Sequence, residues 1–262
     1  MRAVLDRLGW RGWRGWRGWV LPLALLVLAE AAMRVNPVES DALARPTDVL
    51  KALAQGLADG SVFSLSAQTL AAALAGLALG GGLGLAAGIW FGLSRAASDA
   101  ASLSVELLRP VPSVALIPLS MLVFGFGFRM EIAVVAFTCF WPMLLLSQAA
   151  VRNVEPRLLE VARVLGFAWS ERVRKLVLPA ALPRIFVAFR LCVGIALVVA
   201  VTIEVAANPQ GLGYALMNAQ QSLRPELMFA MLLWIGLLGW GLGAGLMLLQ
   251  RTWFHHSLAQ QP

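Results

Sequence analysis

Between Asp59 and Arg95 the chain carries no charged side chain. A helix needs roughly 17–25 apolar residues to cross the hydrocarbon of a bilayer, and the apolar run from Leu65 to Leu93 exceeds that. Similar charge-free intervals run from Arg109 to Arg129, Glu131 to Arg152 and Glu226 to Arg251. Between Arg190 and Arg224 the single charge is Glu204, and a shorter interval from Arg17 to Arg34 is interrupted by Glu30. These six intervals predict an all-α integral membrane protein with six transmembrane helices. Composition excludes the alternatives. Of 262 residues, 60% are hydrophobic and 13% charged, against about 25% charged in ordinary soluble domains. Disordered chains are poor in hydrophobes.

Orientation follows from the basic residues. Most of the 21 Lys and Arg lie in the N-terminal segment, around Arg95 and Arg109, between Arg152 and Arg190, and at Arg251. Cytoplasmic loops of membrane proteins collect Lys and Arg, so both termini and the 151–189 loop are expected inside. The formal charge of +7 then needs no nucleic-acid partner. The expected domains are a cytoplasmic basic and Trp-rich N-terminus (1–18), a first transmembrane helix (19–35), a periplasmic connection (36–60), a five-helix core (61–251) containing the 151–189 loop, and a cytoplasmic tail (252–262). The repeat Arg11-Gly12-Trp13, Arg14-Gly15-Trp16, Arg17-Gly18-Trp19 suits a layer of lipid headgroups. A cleaved signal peptide ending near Ala29-Glu30-Ala31 is the alternative to a retained first helix.

Within the second interval Gly76, Gly80, Gly84, Gly88 and Gly92 recur at a spacing of four. On a helix this makes a glycine stripe along which a second helix can approach closely. Gly82-x-Gly84-x-x-Ala87 has the spacing of a dinucleotide fingerprint but lacks the preceding strand that the chemistry requires. Pro110, Pro112, Pro118 and Pro142 each remove an amide donor. The freed carbonyls must face protein or a wet cavity.

The 151–189 loop reads as a helix–turn–helix elbow. Leu158, Leu159, Val161, Ala162 and Leu165 share a helix with Arg157, Glu160 and Arg163, and Gly166 is a C-terminal stop. Ser170 and Glu171 are placed to cap a second short helix through Val173, Leu176 and Val177, with Pro179 and Pro183 ending it. Such an elbow either anchors a loop at the interface or docks a cytoplasmic partner.

Here the residues resemble a family. Glu160-Val161-Ala162-x-x-x-Gly166, followed by Leu178-Pro179-Ala180-Ala181-Leu182-Pro183, looks like the cytoplasmic EAA loop of ABC importer permeases. Glu204 with Gly211-Leu212-Gly213-Tyr214, Arg109-Pro110-x-Pro112, Pro118-Leu119 and Phe124-Gly125 are similar to the nitrate/sulfonate/taurine branch. The second EAA position is Val161, and Ala72 stands where members of the branch often carry an arginine after Thr69-Leu70. The resemblance implies a homodimeric channel half in the bacterial inner membrane. It also implies a cytoplasmic ABC ATPase docked on Glu160, Val161, Ala162 and Gly166, and an extracytoplasmic solute-binding protein that delivers the substrate. The solute would be a sulfonate, nitrate or taurine, with a neutral heterocycle or vitamin precursor as the alternative.

No phosphate-cradling Gly-x-x-x-x-Gly-Lys-Ser/Thr loop occurs, so ATP would be bound by the partner and no cofactor by this chain. Cys139 and Cys192 lie in apolar runs and form no disulfide framework. His255 and His256 sit beyond the last span, so neither a metal site nor catalytic residues are expected, and a non-enzymatic permease results. A secondary transporter would carry more buried ionisable groups. The expected pathway residues are Gln68, Thr69, Ser113, Thr202 and Glu204. For the hydroxyls among the span residues, Ser120 and Thr138 included, bonding to their own helix is the competing role. Glu204 is set apart because an intramembrane carboxylate is costly.

Overall fold

The computed structural model of the chain describes residues 10–35 and 43–253. The described residues are helical, with no strand among them. Helix α1 (Trp10–Val35) turns the apolar side chains of Val20, Leu21, Leu23 and Leu25 to Leu28 outward, as a lipid-facing helix does. The side chains of the Arg-Gly-Trp repeat, residues 36–42 of the 36–60 connection, and His255 and His256 lie outside what is described.

Helix α2 (Pro46–Ala58) is amphipathic, burying Ala52, Leu53 and Gly56. It begins with proline, whose missing amide is no loss in a first turn. Its own N-cap residue makes no side-chain cap. Glu30 supplies one from α1 instead: its Oε2 accepts from the Thr47 amide at 3.1 Å and its Oε1 from the Thr47 hydroxyl at 3.0 Å. The charge that interrupts the first interval therefore ties α1 to α2. At the far end the Asp59 carboxylate accepts from the Ser61 amide at 2.8 Å. Hydrogen bonds from Ser61 hold this carboxyl below the usual aspartate range.

A continuous 33-residue span, Ser61–Leu93, follows. It comprises α3 (Ser61–Gly76), a π-helical turn (Leu77–Gly81) and α4 (Gly82–Leu93). Helix α5 (Arg95–Leu108) starts at Ser94, whose Oγ accepts from the Ala97 amide at 3.2 Å. A 3₁₀ turn (Ser113–Leu116) leads into the short α6 (Ile117–Phe124). Gly125 (φ 74°) and Gly127 (φ 107°) turn the chain into α7 (Phe128–Arg152). Then come α8 (Pro156–Val164), α9 (Trp169–Arg172), a second π-helical turn (Val173–Val177), α10 (Leu178–Ala206), α11 (Gly211–Gln221) and α12 (Pro225–Trp253).

The central layer is α7, buried between the Ser61–Leu93 span and α10. Its core includes Met130, Val134, Val135, Cys139 and Met143 against Leu77, Ala188, Cys192, Ala196 and Ile203. A second core joins α2, α3, α11 and α12 through Leu53, Val62, Leu212 and Met231. The indole of Trp234 pins α12 to α3 by donating to Ser66 Oγ at 2.7 Å.

Two expectations are corrected. Among the described residues four segments are long and apolar enough to cross a membrane: Ser61–Leu93, Phe128–Arg152, Trp169–Gln221 and Pro225–Trp253. A fifth exists only if Arg95–Leu108 and Ser113–Phe124, bent by 81°, count as one span. The Arg109–Arg129 interval is thus no straight helix. Arg109 is still helical (φ −58°, ψ −43°), but Pro110 and Pro112 each lack the amide that would continue the ladder, and α5 ends at Leu108. Conversely, Pro179 and Pro183 end nothing. Pro179 falls in the first turn of α10, directly after the π-helical turn, and Pro183 is carried inside the helix. The adjoining π-helical turn relaxes the ladder just before them.

Candidate functional site

The glycine stripe lies against α7 from end to end. A Cβ at Gly80 would overlap the backbone carbonyl of Ala136, one at Gly84 that of Phe140, and one at Gly88 that of Leu144. At the two ends, Gly76 and Gly92 face the side chains of Val135 and Val151. This backbone-to-backbone contact fixes the scaffold on which the polar residues sit.

Of the five expected pathway residues the structure brings three together. Helix α10 ends at Ala206, the chain reverses, and α11 starts at Gly211 with its first amides pointing back at α3 and α10. Gln68 Oε1 accepts from the Gly211 amide at 3.0 Å, Thr69 Oγ1 from Leu212 at 2.9 Å, and Glu204 Oε2 from Gly213 at 2.8 Å. Three consecutive orphan donors of a helix N-terminus are thereby satisfied from other helices, and a carboxylate there meets the positive end of the helix dipole. Glu204 is 2% exposed. The motif of Glu204 and Gly211-Leu212-Gly213 has a steric reason as well. Gly211 adopts φ 83°, and a Cβ at Gly211 or Gly213 would collide with the Glu204 side chain.

Ser113 and Thr202 lie elsewhere. Ser113 lines a cavity between the α5–α6 break and α7. Thr202 donates to the Val198 carbonyl at 2.7 Å, within its own helix. Thr138 and Ser120 do the same, to Val134 and Ile117.

Sequence reasoning missed Glu131. It served only to mark the edge of an interval, yet it is buried at 2% exposure. Its Oε2 accepts from Asn208 Nδ2 at 2.6 Å, which ties α7 to the α10–α11 reversal. Its Oε1 and the Asn208 Oδ1 have no partner. The signal was available: at helical spacing Glu131 falls on the stripe of Val134, Val135 and Cys139, the buried face of α7. Among the described residues neither Glu131 nor Glu204 pairs with a basic side chain, and no three His, Cys, Asp or Glu side chains gather as metal ligands.

At the other end of the molecule α8 stops in a tight turn. The Phe167 amide donates to Ala162 O at 3.0 Å, with Gly166 at φ 70° between them, the pattern of a glycine C-cap. Ala162 is fully buried while Val161, Val164, Leu165 and Trp169 are exposed, and Glu160 is exposed beside them. Helix α9 is capped by Glu171, not Ser170: Glu171 Oε2 accepts from the Ala168 amide at 3.2 Å and its Oε1 from Lys175 at 2.9 Å.

Residues 80–253 match the family of binding-protein-dependent transport system inner membrane components. The chain is 32% identical over 224 residues to the aliphatic sulfonates transport permease protein SsuC of Bacillus subtilis, covering 86% of this chain and 79% of that one. To the SsuC of Escherichia coli it is 31% identical over 91% of both chains. To the taurine transport system permease protein TauC of Escherichia coli it is 29% identical over 75% of this chain and 72% of that one. Among solved structures, the MetNI methionine ABC transporter in an inward-facing conformation superposes with a TM-score of 0.61 at 18% identity, covering 73% of this chain and 93% of that one. The chain therefore belongs to the binding-protein-dependent inner-membrane components, as an ABC importer permease of the nitrate/sulfonate/taurine branch and not an enzyme.

Proposed function

We propose that the chain forms, as one half of a homodimer, the inner-membrane pathway through which a small sulfonate-type anion enters the cell. An extracytoplasmic binding protein delivers the solute, and a separate ATPase docks on the 151–189 loop. Helix α1 is the remaining span, both termini are cytoplasmic, and ATP belongs to the partner. The names of the SsuC and TauC relatives support the solute class.

The observation that carries the coupling role is the elbow at Gly166. Ala162 packs inward, while Glu160, Val161, Val164, Leu165 and Trp169 are left outward as an apolar knob with one charge. A rigid knob transmits a partner's closure as rigid-body helix motion. Gly166→Val places a β-branched residue at φ 70°, where only glycine sits without strain; no neighbouring atom blocks it, so the spans should still insert. We expect normal membrane levels with loss of uptake and of substrate-stimulated ATPase activity in the assembled complex. Glu160→Ala should cost much less, because a rim charge contributes modestly. Wild-type uptake in Gly166→Val would reduce the elbow to an interfacial anchor.

The orientation has its own test. Ser170→Cys in intact cells should resist a membrane-impermeant thiol reagent and react once the membrane is opened. Labelling in intact cells would invert the topology.

A further inference from the structure

Two cavities meet at one arginine. The first, of about 640 Å³, lies between α5 and α7 and is lined by Ser98, Ser102, Glu106 and Gln148 among others. The second, of about 430 Å³, lies between the α5–α6 break, α7 and α10, and includes Ser113, Thr138, Trp141 and Leu191 in its lining. Arg109 and Leu145 line both. The two adjoin along the stretch of α7 from Thr138 to Gln148, about 15 Å at the rise of an α-helix.

The donors in this groove are unevenly satisfied. Gln148 donates to Ser98 Oγ at 2.9 Å and Thr138 to its own helix. Arg109 forms no salt bridge with an acidic side chain among the described residues, although Glu106 lines the same cavity. The indole Nε1 of Trp141 is buried with no acceptor. Both groups donate and neither can accept. The wall around Trp141 is otherwise apolar, with Phe137, Leu146, Leu191 and Ile195. Arg109 lies in the break between Arg95–Leu108 and Ser113–Phe124, outside both helical halves of the bent pair. Arg109 sits where Pro110 and Pro112 break the span, and it lines both cavities.

We propose that Arg109, with the Trp141 Nε1–H, is the point in the pathway that binds the anionic head of the transported solute. The head is an oxyanion of the sulfonate class, whose oxygens accept from both donors, and the apolar wall holds its alkyl part. This rests on the proposed import function and adds the residue that reads the charge.

The test uses the permease purified with the ATPase subunits it carries, in nanodiscs of phosphatidylcholine. Thermal-unfolding midpoints are titrated with ethanesulfonate and with ethyl methyl sulfone, which has a similar shape and no charge. We expect the sulfonate to raise the wild-type midpoint and the sulfone not to. Arg109→Gln should weaken the sulfonate response by about tenfold or more, the scale of one charged hydrogen bond. Arg109→Lys should lose less, because it keeps the charge without the fork. Trp141→Phe should weaken it several-fold while keeping the ring, and both milder variants carry the test if Arg109→Gln does not assemble. Equal responses in wild type and variants, an equal response to the sulfone, or no response at all would overturn the proposal. So would nanodiscs of phosphatidylglycerol that reproduce the stabilisation and abolish the sulfonate response, since the site would then hold a lipid headgroup. Co-purification of an ATPase, and its stimulation by loaded binding protein, are read on the same preparation. Their failure beside an intact sulfonate response would sink the import function and leave the anion site standing.

Discussion

Leucine at Gly80 is expected to abolish folding of the permease into a monodisperse particle. A single Cβ there already overlaps the Ala136 backbone, and backbone cannot swing aside as a side chain can. Overpacking of ordinary cores costs about 1–3 kcal/mol; here the π-helical turn and α7 would have to separate. Gly84→Leu should behave alike, because its Cβ direction meets the Phe140 carbonyl. Gly82→Leu is the control: it sits on the same span, is exposed, and has nothing within 4 Å of the added carbon. Size-exclusion profiles of tagged protein extracted in mild detergent would compare the three. Equal profiles for Gly80→Leu and Gly82→Leu would show that the stripe does not pack as described.

The second large effect is expected at Glu204. Removing its carboxylate by Glu204→Ala leaves the Gly213 amide buried and unpaired, a loss of about 1–3 kcal/mol before counting the void beside Gly211. Glu204→Gln keeps an acceptor at the same reach and should retain most of the stability. A residue that lines the pathway predicts the opposite ranking of readouts: both variants stable, with transport changed in each. Thermal denaturation beside uptake separates the two, and a destabilised Glu204→Ala with near-normal Glu204→Gln identifies the carboxylate as a helix cap.

What could be read from the sequence depended on whether a residue's effect was local or came from a distant neighbour. The Ser61–Leu93 span, its glycine face and the turn at Gly166 follow from spacing and from glycine's own conformational freedom, so they were legible. Glu204 was visible as an anomaly in an apolar run. Its role was not, because the Gly213 amide it serves becomes a neighbour only when the chain reverses between Ala206 and Gly211. Glu131 was overlooked by position: a charge at the end of an apolar interval looks like a boundary, although its helical spacing from Val134, Val135 and Cys139 put it on the buried face; its partner Asn208, far along the chain, was not legible. The prolines misled in both directions. Pro110 and Pro112 end α5, whereas Pro179 and Pro183 are absorbed by α10 beside a π-helical turn. Sequence spacing does not reveal which neighbouring turns can relax.

That the Ser61–Leu93 span contains a wide turn at Leu77–Gly81 changes the meaning of its glycine spacing. In an unbroken α-helix every fourth residue advances by about 40° around the axis, so Gly92 would point about 160° away from Gly76. Five such residues could not all touch one straight neighbour. A turn closed by i→i+5 bonds takes up about one residue without rotating the chain. It gives back about 100° of azimuth and leaves Gly92 about 60° from Gly76. The span therefore behaves as two short screws of the same thread, joined by a washer that resets their angle. Lengthening or shortening the chain by one residue within that washer would leave its hydrophobic length nearly unchanged, yet would turn Gly84, Gly88 and Gly92 away from α7.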